Sequence, residues 1–223
     1  MSGYKLVVLT SPVTGKEDAY NDWYTNQHLA DVLKVPGFSA AQRFKLLNNM
    51  AGEIKQPYLA IYEMDVDGPE AASRAADALS TTEMYISDAL DLQSVGCGVF
   101  EPCGERRTPG ADTGPYRLLA FTQAVEGREK EFNDWYDQTH LREVMAPGGF
   151  ASAERFRLQR TVGGQFENPS LVLYSLEARD GASLQTTLRG MGATKYTMSD
   201  AGRFDRTQLA LYESCSPRVT AAN

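Results

Sequence analysis

Asn21-Asp22-Trp23-Tyr24-Thr25-Asn26-Gln27-His28-Leu29 recurs as Asn133-Asp134-Trp135-Tyr136-Asp137-Gln138-Thr139-His140-Leu141. The two windows hold both tryptophans and both histidines of the 223-residue chain. Sliding the sequence against itself by their spacing, 112 residues, aligns positions 4–103 with 116–215 without a gap, and 29 of those 100 pairs are identical. Tyr4 meets Tyr116, Gly15 meets Gly127, Phe38 meets Phe150, Arg43-Phe44 meets Arg155-Phe156, and Ser87-Asp88-Ala89 meets Ser199-Asp200-Ala201. A constant offset means that no loop changed length, so both halves share one fold.

Within one unit, Lys5 to Thr10 is an aliphatic run stopped by Pro12 and Gly15, which reads as a strand. Lys16 to Lys34 lacks glycine and proline until Pro36-Gly37 and reads as a helix. Ser39 to Leu47 alternates, with Phe44 and Leu46 on one side and Arg43 and Lys45 on the other, the period of a half-buried strand. Asn48 to Gly52 reads as a turn, Tyr58 to Met64 as a strand, Glu70 to Leu79 as a helix and Val95 to Glu101 as a last strand; Thr81 to Leu92 carries no clear period. The order βαββαβ is the split, ferredoxin-like unit. Such a unit leaves one sheet face bare, and a second copy covers it. The expected fold class is therefore α+β: two tandem ferredoxin-like units packed sheet-to-sheet as an intramolecular dimeric α+β barrel. The boundaries are 1–104 and 116–216, with a linker over 105–115 broken by Pro109, Gly110 and Gly114, and a tail over 217–223. The assembly expected is a monomeric pseudo-dimer or a homodimer.

Apolar residues make up 42% and charged residues 23% of the chain, as in ordinary globular proteins. The net charge of −7 argues against nucleic acid or an anionic membrane as partner, since both select basic surfaces. No apolar run approaches the ~20 residues of a bilayer span, and Met1 to Leu9 reads as a first strand rather than a secretion signal. Three cysteines, Cys97, Cys103 and Cys215, are odd in number and lack metal-ligand spacing, which points to a reduced, cytoplasmic setting with the thiols as small buried hydrophobes.

On a wheel of about 100° per residue, Asn21, His28 and Val32 fall near Tyr24, while Trp23, Gln27 and Asp31 form the adjoining stripe. That face is too polar for plain core and too aromatic for plain surface, and it suits a pocket wall. His28 and His140 are candidate general acids or bases, because histidine titrates near neutrality. Tyr24 and Tyr136 are candidates to polarise a substrate oxygen, with Asn21 and Asn133 as hydrogen-bond donors to it. Trp23 and Trp135 serve as pocket lining or core plugs. Asp31 and Glu143 are placed to orient the imidazoles. Arg43 and Arg155 are candidates to hold a substrate carboxylate, or else to form structural ion pairs with Asp31 and Glu143 or with Glu101 and Glu213. A phosphate loop, a nucleophile elbow and a protein-only zinc site all lack their spacing, so the expectation is no metal and no cofactor.

The pattern Trp23-Tyr24…His28-Leu29…Val32…Pro36-Gly37-Phe38…Arg43-Phe44 resembles the dimeric α+β barrel superfamily, and within it the EthD-like proteins. The second copy matches at Trp135-Tyr136…His140-Leu141…Val144…Gly149-Phe150…Arg155-Phe156, and its proline sits one position earlier, at Pro147. The resemblance implies a barrel fold and a menu of chemistries: muconolactone-type isomerases, polyketide cyclases, dehydratases, cofactor-free quinone-forming monooxygenases and haem-handling enzymes. The haem route implies a histidine on the later helix, and Glu70 to Leu92 and Ala182 to Arg203 contain none. The expected function is a cofactor-free isomerase or lyase acting by histidine acid–base chemistry on a small organic acid from aromatic catabolism or polyketide chemistry. The alternatives are a cofactor-independent monooxygenase of the antibiotic-biosynthesis type, and a non-catalytic small-molecule-binding or stress-response module.

Overall fold

The computed structural model describes residues 3–108 and 114–222; the linker breakers Pro109 and Gly110 lie outside the described residues. The first half runs β1 (Gly3–Thr10), α1 (Glu17–Trp23), a π-helical turn (Tyr24–His28), α2 (Leu29–Leu33), β2 (Phe38–Ala51), β3 (Tyr58–Asp65), α3 (Pro69–Thr81) and β4 (Gly96–Pro102). The second runs β5 (Tyr116–Thr122), α4 (Glu129–Trp135), a π-helical turn (Tyr136–His140), α5 (Leu141–Met145), β6 (Phe150–Gly163), β7 (Ser170–Leu176), α6 (Gly181–Ala193) and β8 (Gln208–Ser214). Short 3₁₀ turns, Leu92–Ser94 and Phe204–Arg206, precede the last strand of each half. Among the described residues no helix is long and apolar enough to cross a membrane.

The eight long strands close into one antiparallel barrel in the order β3-β1-β4-β6-β7-β5-β8-β2, with β2 returning to β3. The halves meet edge to edge: β4 pairs with β6 from Cys97↔Gly163 to Pro102↔Phe156, and β2 pairs with β8 from Phe44↔Ser214 to Ala51↔Leu209. Closure removes the edges that an open sheet would leave unpaired. It also explains why β2 and β6 are 14 residues long. The polar stretch Asn48 to Ala51, expected as a turn, continues as strand because Leu211, Ala210 and Leu209 of the other half offer it a partner.

Alternation along β1 divides the core. Leu6 and Val8 face the helices, while Val7 and Leu9 face the barrel interior. The interior is apolar and drawn from both halves, with Phe44, Phe100, Phe121, Phe156 and Tyr212 at its centre. Two further cores lie outside the barrel wall, one under the helices of each half. Gly37 holds the turn into β2 at φ +100°, and a Cβ there would stand 2.9 Å from Val66 Cγ1 and 3.0 Å from Ala75 Cβ. Gly149 repeats this at φ +85° against Thr187, so the shared glycine is where α3 and α6 dock closely. The expected loose tail is partly ordered as β9 (Val219–Thr220), which pairs with Ala40 and Ala41 of β2. The expectation of buried thiols fails for Cys215, which is exposed just past the end of β8 and donates its N–H to the Arg43 carbonyl at 3.0 Å.

Candidate functional site

The expected single helix is interrupted, in both halves, at the motif. The Leu29 N–H reaches back to the Tyr24 carbonyl and the Leu141 N–H to that of Tyr136, an i→i+5 pattern. A π turn takes one more residue than an α turn, so side chains five apart align. Trp23 and His28 therefore stack, with ring centroids 4.6 Å apart at 30°, instead of lying on separate stripes. Trp135 and His140 stack at 4.4 Å and 21°. The tyrosine packs edge-on to the imidazole, at 4.8 Å for Tyr24 and 5.1 Å for Tyr136. π turns recur at functional sites, where they aim side chains that a regular helix would not bring together.

Burial pushes the His28 imidazole down from its ordinary 6.5 to about 4; nearby Asp31 opposes this and Arg43 adds to it. His140 is also pushed down to about 4 by burial, with Glu143 opposing. Both rings are thus neutral at ordinary pH, and the Nδ1 atoms of both are buried without a hydrogen-bond partner among the described residues. An unpaired polar atom in the interior is costly and calls for a partner such as a ligand or an ordered water.

In the first half the imidazole opens on a cavity of about 290 Å³. Leu6 and Val8 of β1, Tyr24 and Val32 of the helix, and Tyr62 of β3 form its floor and one wall. Ala76 and Leu79 of α3, with Met84, Ile86, Leu90 and Leu92 of the segment that follows, form the other. Val162 of β6 closes the rim, so the other half contributes a side chain. Ile86, Leu92 and Val162 are exposed and mark an apolar mouth. The other titratable groups lining the cavity are held protonated by burial: Tyr24 and Tyr62 lie well above 10, and the Cys97 thiol is pushed up to about 12. His28 is thus the one titratable group in this lining that stands unprotonated at neutral pH.

The second half has the same frame and a different filling. Met84 is answered by Tyr196, whose ring lies 5.5 Å from His140 and whose hydroxyl donates to the Met191 carbonyl at 2.8 Å. Leu92 is answered by Phe204, edge-on to Trp135 at 5.2 Å. The two rings occupy the side of His140 that corresponds to the first-half cavity.

Several expected site residues stand elsewhere. Arg43 does not reach the cavity. Its guanidinium is buried at 1% exposure, donates to Thr25 Oγ1 at 2.6 Å and to Asn21 Oδ1 at 2.9 Å, and sits 4.5 Å from the Tyr24 ring centroid. Asn21 spends its amide on Tyr58 Oη at 2.8 Å, so it is no free donor to a substrate oxygen. Arg155 pairs with Asp137 at 2.8 Å and contacts Asn133 Oδ1, so neither ion-pair partner expected for it is used. Asp31 pairs with Lys34 and Glu143 binds the Thr197 backbone and hydroxyl, so neither carboxylate orients its imidazole. The Trp23 and Trp135 Nε1–H groups donate to the carbonyls of Tyr85 and Thr197. The physical reason is common to all: each group is already paired within the fold, Asn21, Arg43 and Arg155 between helix and sheet, Asp31 at the end of its own helix, and Glu143, Trp23 and Trp135 with the covering segment. The apolar residues that complete the cavity, Leu6, Val8, Ala76 and Leu92 among them, carry no chemical signal in a sequence and read as core. Among the described residues no cluster of three or more His, Cys, Asp or Glu could hold a metal ion.

The closed eight-stranded barrel with outer helices is the dimeric α+β barrel architecture, and solved structures of that architecture are similar to the whole chain. One is an anthrone oxidase-like protein, with TM-score 0.63, 9% identity, and coverage of 100% of this chain and 94% of that one. Others are a monooxygenase-type protein from Fusobacterium nucleatum, with TM-score 0.56, 9% identity and coverage of 100% and 96%, and a chlorite dismutase from Candidatus Nitrospira defluvii, with TM-score 0.53, 9% identity and coverage of 95% and 91%. No family model matches the chain. A 61-residue segment is 43% identical to core atranone cluster protein 1 of Stachybotrys chlorohalonatus, covering 26% of this chain and 25% of that protein. The match thus spans a quarter of that relative's length.

Proposed function

We propose that the first-half cavity is the active site of a cofactor-independent oxygenase acting on a small, polyketide-derived aromatic compound, with His28 as the base. The observation that carries this is the cavity's composition: an apolar chamber of about 290 Å³ whose wall holds one titratable group that is unprotonated at neutral pH, His28. The descriptions of the barrel neighbours, anthrone oxidase-like and monooxygenase-type, support oxygen chemistry over the isomerase or lyase reaction expected from the sequence, and the atranone-cluster relative supports a polyketide-like substrate. A chamber with no Lys or Arg in its wall also favours a neutral aromatic ketone over the organic acid first expected.

In this reading His28 removes a proton from a CH₂ group activated by a carbonyl and aromatic rings. The resonance-stabilised carbanion passes one electron to O₂, and the resulting radical and superoxide combine. The peroxide takes the proton back from the imidazolium and loses water, so that R₂CH₂ + O₂ gives R₂C=O + H₂O. Dioxygen is apolar and enters such a chamber without a desolvation cost. A base held near 4 stays unprotonated across the neutral range, and burial lowers its driving force for taking a proton, so the reaction it suits is removal from a strongly activated CH₂. Tyr24 and Tyr62, whose hydroxyls lie 3.4 Å apart, are held protonated and retain O–H groups for the developing oxyanion.

We further propose that each half is a ferredoxin-like βαββαβ unit, with boundaries at 1–104 and 116–216, that the kinship within the class is EthD-like, and that the three free thiols reflect a reducing compartment. The deciding experiment is turnover of an anthrone, a tricyclic ketone with an acidic CH₂, in an oxygen electrode. One O₂ consumed per product, lost in His28→Gln, is expected. Undiminished turnover under nitrogen to an isomeric product would restore the isomerase reading.

A further inference from the structure

Tyr58 and Ser170 occupy equivalent positions in the two halves, and the difference opens a cavity. In the first half the Tyr58 phenol is buried. Its hydroxyl donates to Glu17 Oε1 at 2.5 Å and accepts from Asn21 Nδ2 at 2.8 Å. Its ring lies 5.0 Å from that of Tyr20, with the Arg43 guanidinium and the Lys45 ammonium 5.2 and 5.6 Å from its centroid. Every one of these partners has a counterpart 112 positions on: Glu129, Asn133, Phe132, Arg155 and Arg157. The phenol alone is missing, because Ser170 stands where it would be rooted. What results is a cavity of about 340 Å³ walled by Phe132, Glu129, Asn133, Arg157, Ser170 and Cys103. It shares no equivalent position with the His28 cavity.

The polar groups that Tyr58 satisfies in the first half are left over in the second. Asn133 gives Oδ1 to Arg155, and its Nδ2 has no partner among the described residues. Glu129 accepts from the Gly127 N–H through Oε1, leaving Oε2 open. Gln123, also in the wall, has a buried Oε1 without a partner among the described residues.

We infer that this cavity binds a monohydroxylated aromatic ring, a phenol, as a free ligand in place of a tyrosine side chain. The ligand hydroxyl donates to Glu129 and accepts from Asn133 Nδ2–H. Its ring packs on Phe132, with the Arg157 side chain at the rim, where a cation over an aromatic face is attractive. The hydroxyl strengthens binding, because it pairs with both the Glu129 carboxylate and Asn133 Nδ2–H, which a ring without a donor leaves to water. A bulky group para to the hydroxyl is disfavoured, because that carbon points where the Tyr58 equivalent joins the strand.

The test is titration with p-cresol, the tyrosine side chain as a free molecule, followed by calorimetry on the full chain. Saturable one-site binding is expected for the wild type. Ser170→Tyr, which rebuilds the first-half arrangement, should abolish it. Glu129→Gln, at an exposed position that leaves the fold untouched, should weaken it by roughly tenfold, and 4-methylanisole should bind as weakly, the loss expected for a hydrogen bond to a charged acceptor. Met84→Tyr with Leu92→Phe, which fills the His28 cavity, should leave p-cresol binding intact. No saturable binding by the wild type, or binding that survives Ser170→Tyr and Glu129→Gln but vanishes in the Met84/Leu92 double variant, overturns the inference.

Discussion

The two halves of the barrel keep the same stacked Trp–His pair and differ in what lies beside it. Next to His28 stand Met84 and Leu92 around an open cavity; next to His140 stand the rings of Tyr196 and Phe204. The covering segment differs too. In the second half Glu143 accepts from both the backbone and the hydroxyl of Thr197, at 2.7 and 2.6 Å, and Trp135 donates to its carbonyl at 2.7 Å. In the first half Asp31 is turned to Lys34, and a longer Trp23 bond of 3.2 Å to the Tyr85 carbonyl remains. At this equivalent position the second copy is held by three hydrogen bonds and the first by one. A shared motif therefore marks a shared scaffold, and the site is decided by the residues laid across it.

The sharpest way to break this comparison is to treat the histidines alike. His28→Gln should lower turnover by ~10²- to 10⁴-fold, the usual contribution of a positioned base, while His140→Gln changes it less than twofold. Equal losses in steady-state oxygen consumption would erase the asymmetry. Next in size are the buried arginines. Arg43→Met should cost about 3 kcal/mol in denaturant unfolding, because Asn21 and Thr25 lose their donor in the interior. Arg155→Met should cost about 2 kcal/mol, because the stranded carboxylate of Asp137 is 36% exposed and water reaches it. Tyr196→Met with Phe204→Leu should cost about 1–2 kcal/mol and open a second cavity, read as a new site for an apolar fluorescent probe.

The subtlest measurement is pH. Both histidines have folded values near 4, below the ordinary 6.5, so the unfolded chain binds more protons between those limits. Their contribution to stability is present above about 6.5 and is lost as pH falls towards 4. The melting temperature of the wild type should fall over that window more steeply than that of the His28→Gln/His140→Gln double variant.

The repeat offset made the α+β barrel legible, because residue identities at a fixed spacing report a shared backbone. Alternation at Arg43 to Leu46 and the glycine–proline stops placed most strand and helix positions. The length of β2 was not legible, since Asn48 to Ala51 is polar and its pairing partner lies in the other half. The π turn was invisible to a wheel that assumes 3.6 residues per turn, and with it the stacking of Trp23 on His28. Arg43 looked like a substrate clamp because a charged residue on a strand gives no sign of the three tyrosine rings that enclose it. The plug and the open mouth both sit in Thr81 to Leu92 and its copy, irregular segments whose shape comes from what they pack against.

The hydrogen-bonded seams have a consequence for how the chain is made. Strands β2 and β4 are complete long before β6 and β8 leave the ribosome, and Phe44 waits for Ser214 across about 170 residues. During that interval the first half presents two unsatisfied edges and an uncovered apolar interior, the features through which nascent chains associate. On a polysome, the nearest edges of the right register belong to neighbouring copies of the same half. Synthesis is thus a race between finishing one's own barrel and closing it with another's strands, and slow translation through the second half tilts it towards exchanged assemblies.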